Sequence, residues 1–165
     1  LPGVATSAVV APVAAVTGSK AMTGTPVNDA PTATNLSAGE TYTEDTALDL
    51  TDIVVSDVDS ATVTVTLTLS DVAAGSLSTG TAGAVTSTYN ALTGVWTASG
   101  AVADVNTLLA GVSFLPSLNY NSPFTIATSV SDGVAAALTG TKVVTGTPVN
   151  DAPTATNLNA AETYT

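Results

Sequence analysis

Ala61–Ser70 reads ATVTVTLTLS. Val63, Val65, Leu67 and Leu69 alternate with threonines, so one face of an extended segment is apolar and the other carries hydroxyls. Valine and threonine are both β-branched and fit a pleated surface, so propensity agrees with the pattern. The stretch predicts a strand buried on one side. Further strands are expected at Thr32–Thr43, Ala47–Val55, Ser76–Thr79, Ala84–Tyr89, Gly94–Ser99, Val112–Leu115, Phe124–Ser131 and Ala136–Gly146. Residues 89–95, YNALTGV, hold the Asn and Gly expected of a hairpin turn. One short helix is expected over Ala103–Ala110, where Val105, Leu108 and Leu109 share a face and Asp104 lies in the first turn.

Many short strands punctuated by Gly, Ser, Asn and Asp predict an all-β fold, an antiparallel sandwich of the immunoglobulin-like kind with one short helix. Trp96, Phe114, Tyr120 and Phe124 are the large side chains available to fill its core. With 45% hydrophobic residues over 165 positions, the chain can bury such a core. Its apolar runs are too short to cross a bilayer. The opening LPGVATSAVVAPVAAVTG lacks an initiator Met and a basic stretch, and is read as internal sequence and not as a signal peptide.

The chain also repeats itself. TGTPVNDAPTATNL occurs at Thr23–Leu36 and again at Thr145–Leu158, 122 positions later. Aligned at that spacing, Gly18–Thr43 and Gly140–Thr165 agree at 21 of 26 positions, and the differences are mild, such as Ser19 against Thr141. Upstream the match fades: Thr6-Ser7 faces Thr128-Ser129, but Val10-Ala11 stands opposite Asp132-Gly133. The expected organisation is a tandem array: residues 1–26 close a preceding repeat, 27–149 form a complete one, and 150–165 begin the next. A unit of this size owns a core, unlike the short units of solenoids.

Thirteen acidic residues face only Lys20 and Lys142, for a net charge of −11. Such a surface repels nucleic acid and anionic lipid, so neither is an expected partner. A chain this acidic either tolerates self-repulsion or binds metal, and the placement of the acids decides between them. The absence of Cys and His removes disulfides, thiol nucleophiles, imidazole bases and the usual zinc ligands.

The acids cluster at expected strand ends: VND at 27–29, TED at 43–45, SDVDS at 56–60, SDG at 131–133 and VND at 149–151. A hard cation such as Ca²⁺ takes six to eight oxygens, which short Asp and Asn side chains in loops supply at low entropic cost. In DVD both carboxylates lie on the same face of an extended segment. Each piece alone is also ordinary turn chemistry, since Asn, Asp and Gly serve turns and caps. Their co-occurrence at one end of a sandwich of alternating strands is what points to Ca²⁺.

VNDAP at a repeat junction, a Glu about fifteen residues later, then DVD, then SDG before the last strand together resemble the cadherin pattern. The chain is most similar to cadherin-like tandem repeats of giant bacterial surface adhesins of the type I-secreted kind, which often carry RTX sequences. The stretch VADVNTLLAGVSFLPSLNYNSPFTIATSVSDG is similar to those repeats as well. The resemblance implies that Asn28 and Asp29 are linker ligands and that Asp57, Asp59 and Asp132 are ligands at the top of the following repeat. It places Glu44 at the bottom, with Asn150 and Asp151 in the next junction, and Asp45 beside Glu44 as a weaker member. Pro26 and Pro148 stand where the cadherin pattern has an acidic residue before the linker Asn, and the acidic motif before the sixth strand has no counterpart. These departures imply fewer ions per junction.

The implied role is a calcium-stiffened extender of an extracellular adhesin, at the bacterial surface and in biofilm, whose partners are neighbouring repeats of the same polypeptide. Two other roles stay open. The chain ends suit strand addition between identical subunits of a filament or lattice. A ligand- or carbohydrate-binding module is a further alternative, disfavoured by few aromatics in core-like contexts. Without His, Cys or a nucleophile motif, the chain is not expected to be an enzyme, the best carboxylate pair being Asp57 and Asp59.

Overall fold

In the computed structural model, which describes residues 12–156, 158–161 and 163, short strands and one helix follow in sequence order. They are β1 (Thr32–Ala33), β2 (Glu40–Thr43), β3 (Leu48–Asp49), β4 (Val55–Ser56), β5 (Thr62–Leu69), β6 (Gly75–Leu77), β7 (Thr81–Ala82), β8 (Val85–Thr86), β9 (Thr88–Asn90), β10 (Val95–Ala101), α1 (Val102–Leu109), β11 (Ser113–Pro116), β12 (Phe124–Ser131) and β13 (Leu138–Thr147). The fold is mostly β, as expected. Leu1–Ala11, in the expected tail of a preceding repeat, lie outside the described residues, as do Asn157, Glu162, Tyr164 and Thr165 of the expected opening strand of the next.

β5 keeps the alternation read from its sequence: Val63, Val65, Leu67 and Leu69 are buried and the threonines between them face outward. It sits in a six-stranded sheet of order β2-β13-β12-β5-β10-β9, flanked by antiparallel β10 and β12. A three-stranded sheet, β3-β11-β6, shares one apolar core with it. Trp96 and Phe114 are fully buried there, and Tyr42, Phe114 and Phe124 pack edge to face or tilted, with Phe114 and Phe124 ring centres 4.7 Å apart. Tyr120 is only half-buried at the rim. The hairpin at residues 89–95 closes through Asn90, whose carbonyl accepts from Thr93 and Gly94, with Gly94 at φ 68°.

Three expected strands are broken: Ala84–Tyr89 parts at Ser87, which bonds Gly80 through its N and Oγ, into β8 and β9 of different sheets. Thr32–Thr43 breaks after Ala33, because Asn35 turns into the left-handed region at φ 59° and its side chain donates to the Asp52 carbonyl. Ala47–Val55 survives only as β3 and β4. Between them Leu50 and Ile53 point into the core without a continuous partner strand. Asn106 on α1 supplies one substitute: its side-chain amide accepts from Val55 N (2.8 Å) and donates to Val55 O (2.9 Å), as a neighbouring strand would. β7 was not foreseen.

β2 and the last strand close the unit. β2 runs parallel to β13, with Glu40 opposite Val144 and Thr43 opposite Thr147. Lys142, from β13, is fully buried and its Nζ donates to Glu40 Oε1 (2.8 Å) and to the Thr51 carbonyl (3.1 Å). Glu40 also accepts from Thr51 N (3.0 Å) and Thr51 Oγ1 (3.2 Å), so both carboxylate oxygens are satisfied.

A candidate cation site at one end of the sandwich

β12 ends and β5 begins at the same end of the sheet, since Ser131 pairs with Thr64. The loops that follow β12 and precede β5 therefore meet, and the linker before β1 arrives beside them. Asn28 Nδ2 donates to Asp132 Oδ2 at 2.7 Å, and Asp29 N donates to Asp59 Oδ2 at 2.9 Å. Two linker residues are thus tied to two loops separated from them by 104 and 30 positions.

Each loop folds around its own aspartate. Asp57 Oδ1 accepts from Asp59 N (3.1 Å) and Ser60 N (2.7 Å), a turn that short Asp side chains make with the backbone two and three residues on. Asp132 Oδ1 does the same with Val134 N and Ala135 N, both at 2.9 Å, while Gly133 takes φ 83°. These bonds leave the second oxygen of each carboxylate for other partners. Asp132 Oδ2 finds Asn28. Asp57 Oδ2 is buried and has no hydrogen-bond partner.

The electrostatics follow from these contacts. Backbone donation from Ser60 holds the Asp57 carboxyl below its ordinary value; Asp59 N adds to this, while burial and the charge of Asp132 oppose it. Asp132 is lowered chiefly by the Asn28 amide, then by Val134 N. Both groups therefore carry charge at neutral pH in close company. Among the described residues, no three carboxylates converge tightly enough to hold a metal by themselves, so any ion here needs amide, backbone or solvent oxygens as well. The donor set does fit a hard cation: Asp57, Asp59 and Asp132 carboxylates, the Asn28 amide and the Ser60 hydroxyl present only oxygen and amide groups. A buried carboxylate oxygen lacking a partner is costly unless something positive meets it.

The opposite end is built differently. Glu44 is buried; its Oε2 accepts from Val149 N (2.7 Å) and its Oε1 from Asn121 Nδ2 (3.3 Å). It grips the outgoing linker one residue before Asn150 and Asp151. Asn150 Nδ2 donates to the Asp151 carbonyl (3.4 Å), the contact that Asn28 makes with Asp29 (3.0 Å). Asp45, exposed at φ 61°, accepts from Asn119 N (2.8 Å) and so ties the turn after β2 to the loop between β11 and β12, 74 positions away.

The structure thus brings Asn28, Asp29, Asp57, Asp59 and Asp132 together, and separately sets Glu44 beside Asn150 and Asp151. Sequence reasoning missed Ser60, whose N serves Asp57 and whose Oγ lies 3.5 Å from Asn28 Oδ1. The Asp-x-x-Ser turn around Asp57 was the available signal. It also missed Asn121, which nothing in its neighbourhood marks. No protein-family model, curated protein or solved structure matches this chain.

Proposed function

We propose that the chain is a calcium-stiffened spacer: one immunoglobulin-like, cadherin-like unit of a tandem array, with a role in an extracellular bacterial adhesin. The observation that carries this reading is the double tie between linker and loops, Asn28 to Asp132 and Asp29 to Asp59, around an unpartnered Asp57 oxygen. Asp57, Asp59, Asp132 and Asn28 would hold the ion, with Glu44 of a preceding unit approaching the same junction through the repeated linker. A bound Ca²⁺ supplies positive charge that neutralises neighbouring carboxylates. The protein's own part is to fix the linker angle, through the hydrogen bonds above and Pro31, whose ring restricts the chain.

Binding to the folded state alone stabilises it by mass action. The acidic surface also suits an environment rich in divalent cations, with folding coupled to ion binding after export. The test is thermal melting with excess calcium and with EGTA. Chelation is expected to lower the melting temperature, and Asp57→Ala with Asp59→Ala to abolish the difference. Equal melting under both conditions would refute calcium binding.

A further inference from the structure

The two ends of the sandwich expose what its flanks do not. Between Asn28 and Pro148 the four most exposed large apolar side chains are Leu92 (91%), Val58 (83%), Leu118 (81%) and Val134 (73%), and all four lie in end loops. Val143, the next at 55%, sits on the outward face of β13 among threonines. Val58 precedes β5 and Val134 follows β12, at the end where Ser131 pairs with Thr64. Leu92 lies between β9 and β10 and Leu118 between β11 and β12, at the opposite end, where Val95 pairs with Thr68 and Phe124 with Val144. Each end therefore presents two apolar side chains.

A single exposed valine is ordinary surface. Confinement of the most exposed ones to the two ends is not, because loop tips are usually given to polar residues that serve the turn. All four also sit on hydrogen-bonded turns. Val58 lies inside the turn that Ser60 N closes on Asp57 Oδ1 (2.7 Å), and Val134 N itself donates to Asp132 Oδ1 (2.9 Å). Leu118 lies in the turn that Tyr120 N closes on the Ser117 carbonyl (3.1 Å), pinned by Asn119 N on Asp45. Leu92 N donates to Asn90 Oδ1 (3.0 Å). The turns hold these side chains in place before any partner arrives, which lowers the ordering cost of a contact.

Chain continuity names the partner. The outgoing linker leaves the Leu92–Leu118 end, where Glu44 Oε2 accepts from Val149 N, one residue before Asn150. Asn28, the counterpart of Asn150 in the repeated stretch, is tied to the Val58–Val134 end through Asp132. In an array, adjacent residues of one linker are thus gripped by the facing ends of two successive units. No free residue separates the grips, and the two ends are drawn together.

Given the tandem array proposed above, on which this rests, we propose that Leu92 and Leu118 of one unit dock on Val58 and Val134 of the next, an apolar contact beside the Asp57–Asp132 site. It supplies what the carboxylates cannot. Asp45 at one end opposes Asp57, Asp59 and Asp132 at the other, so the facing ends repel. Apolar burial is an attraction that does not depend on charge. It also excludes water from beside the carboxylates, which strengthens their interaction with a cation.

The test joins two units in the native register, residues 27–148 followed by residues 27–149; each unit holds its own core, closed by β2 on β13. Leu92→Ser with Leu118→Ser is placed in the first copy, where that end faces the junction, or in the second, where it is free. Val58→Ser with Val134→Ser is placed in the second copy, at the junction, or in the first, where its end is free. Each pair of chains has one composition, so any cost within a unit is the same in both. In calcium, the junction placement is expected to melt about 2–8 °C below the free placement. Equal melting of the two placements overturns the contact, whether both fall or neither does. If that equality comes with association of chains in light scattering that serines at either placement remove, the patches join separate chains instead. The unsubstituted chain is melted in EGTA as well: no response to chelation sinks the calcium reading, while the placement comparison still decides the contact.

Discussion

Lys142→Met removes the cation from a fully buried pair and leaves the Glu40 carboxylate with Thr51 N and Thr51 Oγ1 as its remaining donors. The side chains of Lys142 and Glu40 are 1% and 5% exposed, so water cannot replace the lost contact without opening the sheet. Removing one partner of such a pair costs about 3–5 kcal/mol, because the other charge stays buried and uncompensated. Replacing both, Glu40→Leu with Lys142→Met, should recover most of that loss, since an apolar pair of similar volume avoids desolvating two charges. Urea denaturation followed by Trp96 fluorescence reads the difference directly, Trp96 being the sole tryptophan and fully buried. The pair joins β2 to β13, so the single variant should also speed hydrogen exchange at Val144–Thr147. A loss below about 1 kcal/mol for Lys142→Met would refute the reasoning, for that is the range of a solvent-screened pair.

Asn106→Ala should cost about 1–3 kcal/mol in the same urea assay, because Val55 N and O lose the amide that pairs them; Asn106→Asp should not rescue it, since a carboxylate oxygen then faces the Val55 carbonyl. The lowered carboxyls of Asp57 and Asp132 make their two turns, and the Asn28–Asp132 tie, a property of the ionised state. Their contribution is present above the ordinary value of 3.8 and is lost as pH falls through their lowered values; exchange protection at Ser60 N, held by Asp57, and Val134 N, held by Asp132, should vanish there and not earlier. Tyr120 behaves in the opposite sense. Burial, then its bond to Asp71 Oδ2, pushes its hydroxyl up to about 12, so its contribution is complete below 10 and is lost as pH rises toward 12; an ultraviolet titration showing Tyr120 ionising near 10 would contradict the packing.

The parts of the fold legible in the sequence were those in which local pattern and packing agree. β5 and β12 carry a strict period of two, and both strands fall within a residue of their expected ends. α1 was legible for the same reason, with Val105, Leu108 and Leu109 inward. Thr32–Thr43 was misread as one strand because its β-branched residues carry no sign of the left-handed turn at Asn35, which depends on a bond to Asp52. The Lys142–Glu40 pair was invisible: a lone lysine in a threonine-rich strand looks like a solvated face until β2 is laid beside it. At the candidate site, the acidic motifs and their convergence at one end followed from strand alternation. The particular ties did not, because which loop Asn28 reaches depends on turns at Asp57 and Asp132 that tertiary packing aims. The identical triplets Thr23–Thr25 and Thr145–Thr147 make the limit plain: the second lies in β13 and the first in no strand, so local sequence alone does not fix the strand.

Small-angle scattering of a chain carrying two successive copies of residues 27–149, measured in calcium and again in EGTA, tests the spacer reading most directly. The account predicts a longer maximum dimension with a narrow distance distribution in calcium, and a shorter, broader one after chelation. Identical profiles in both conditions would contradict it.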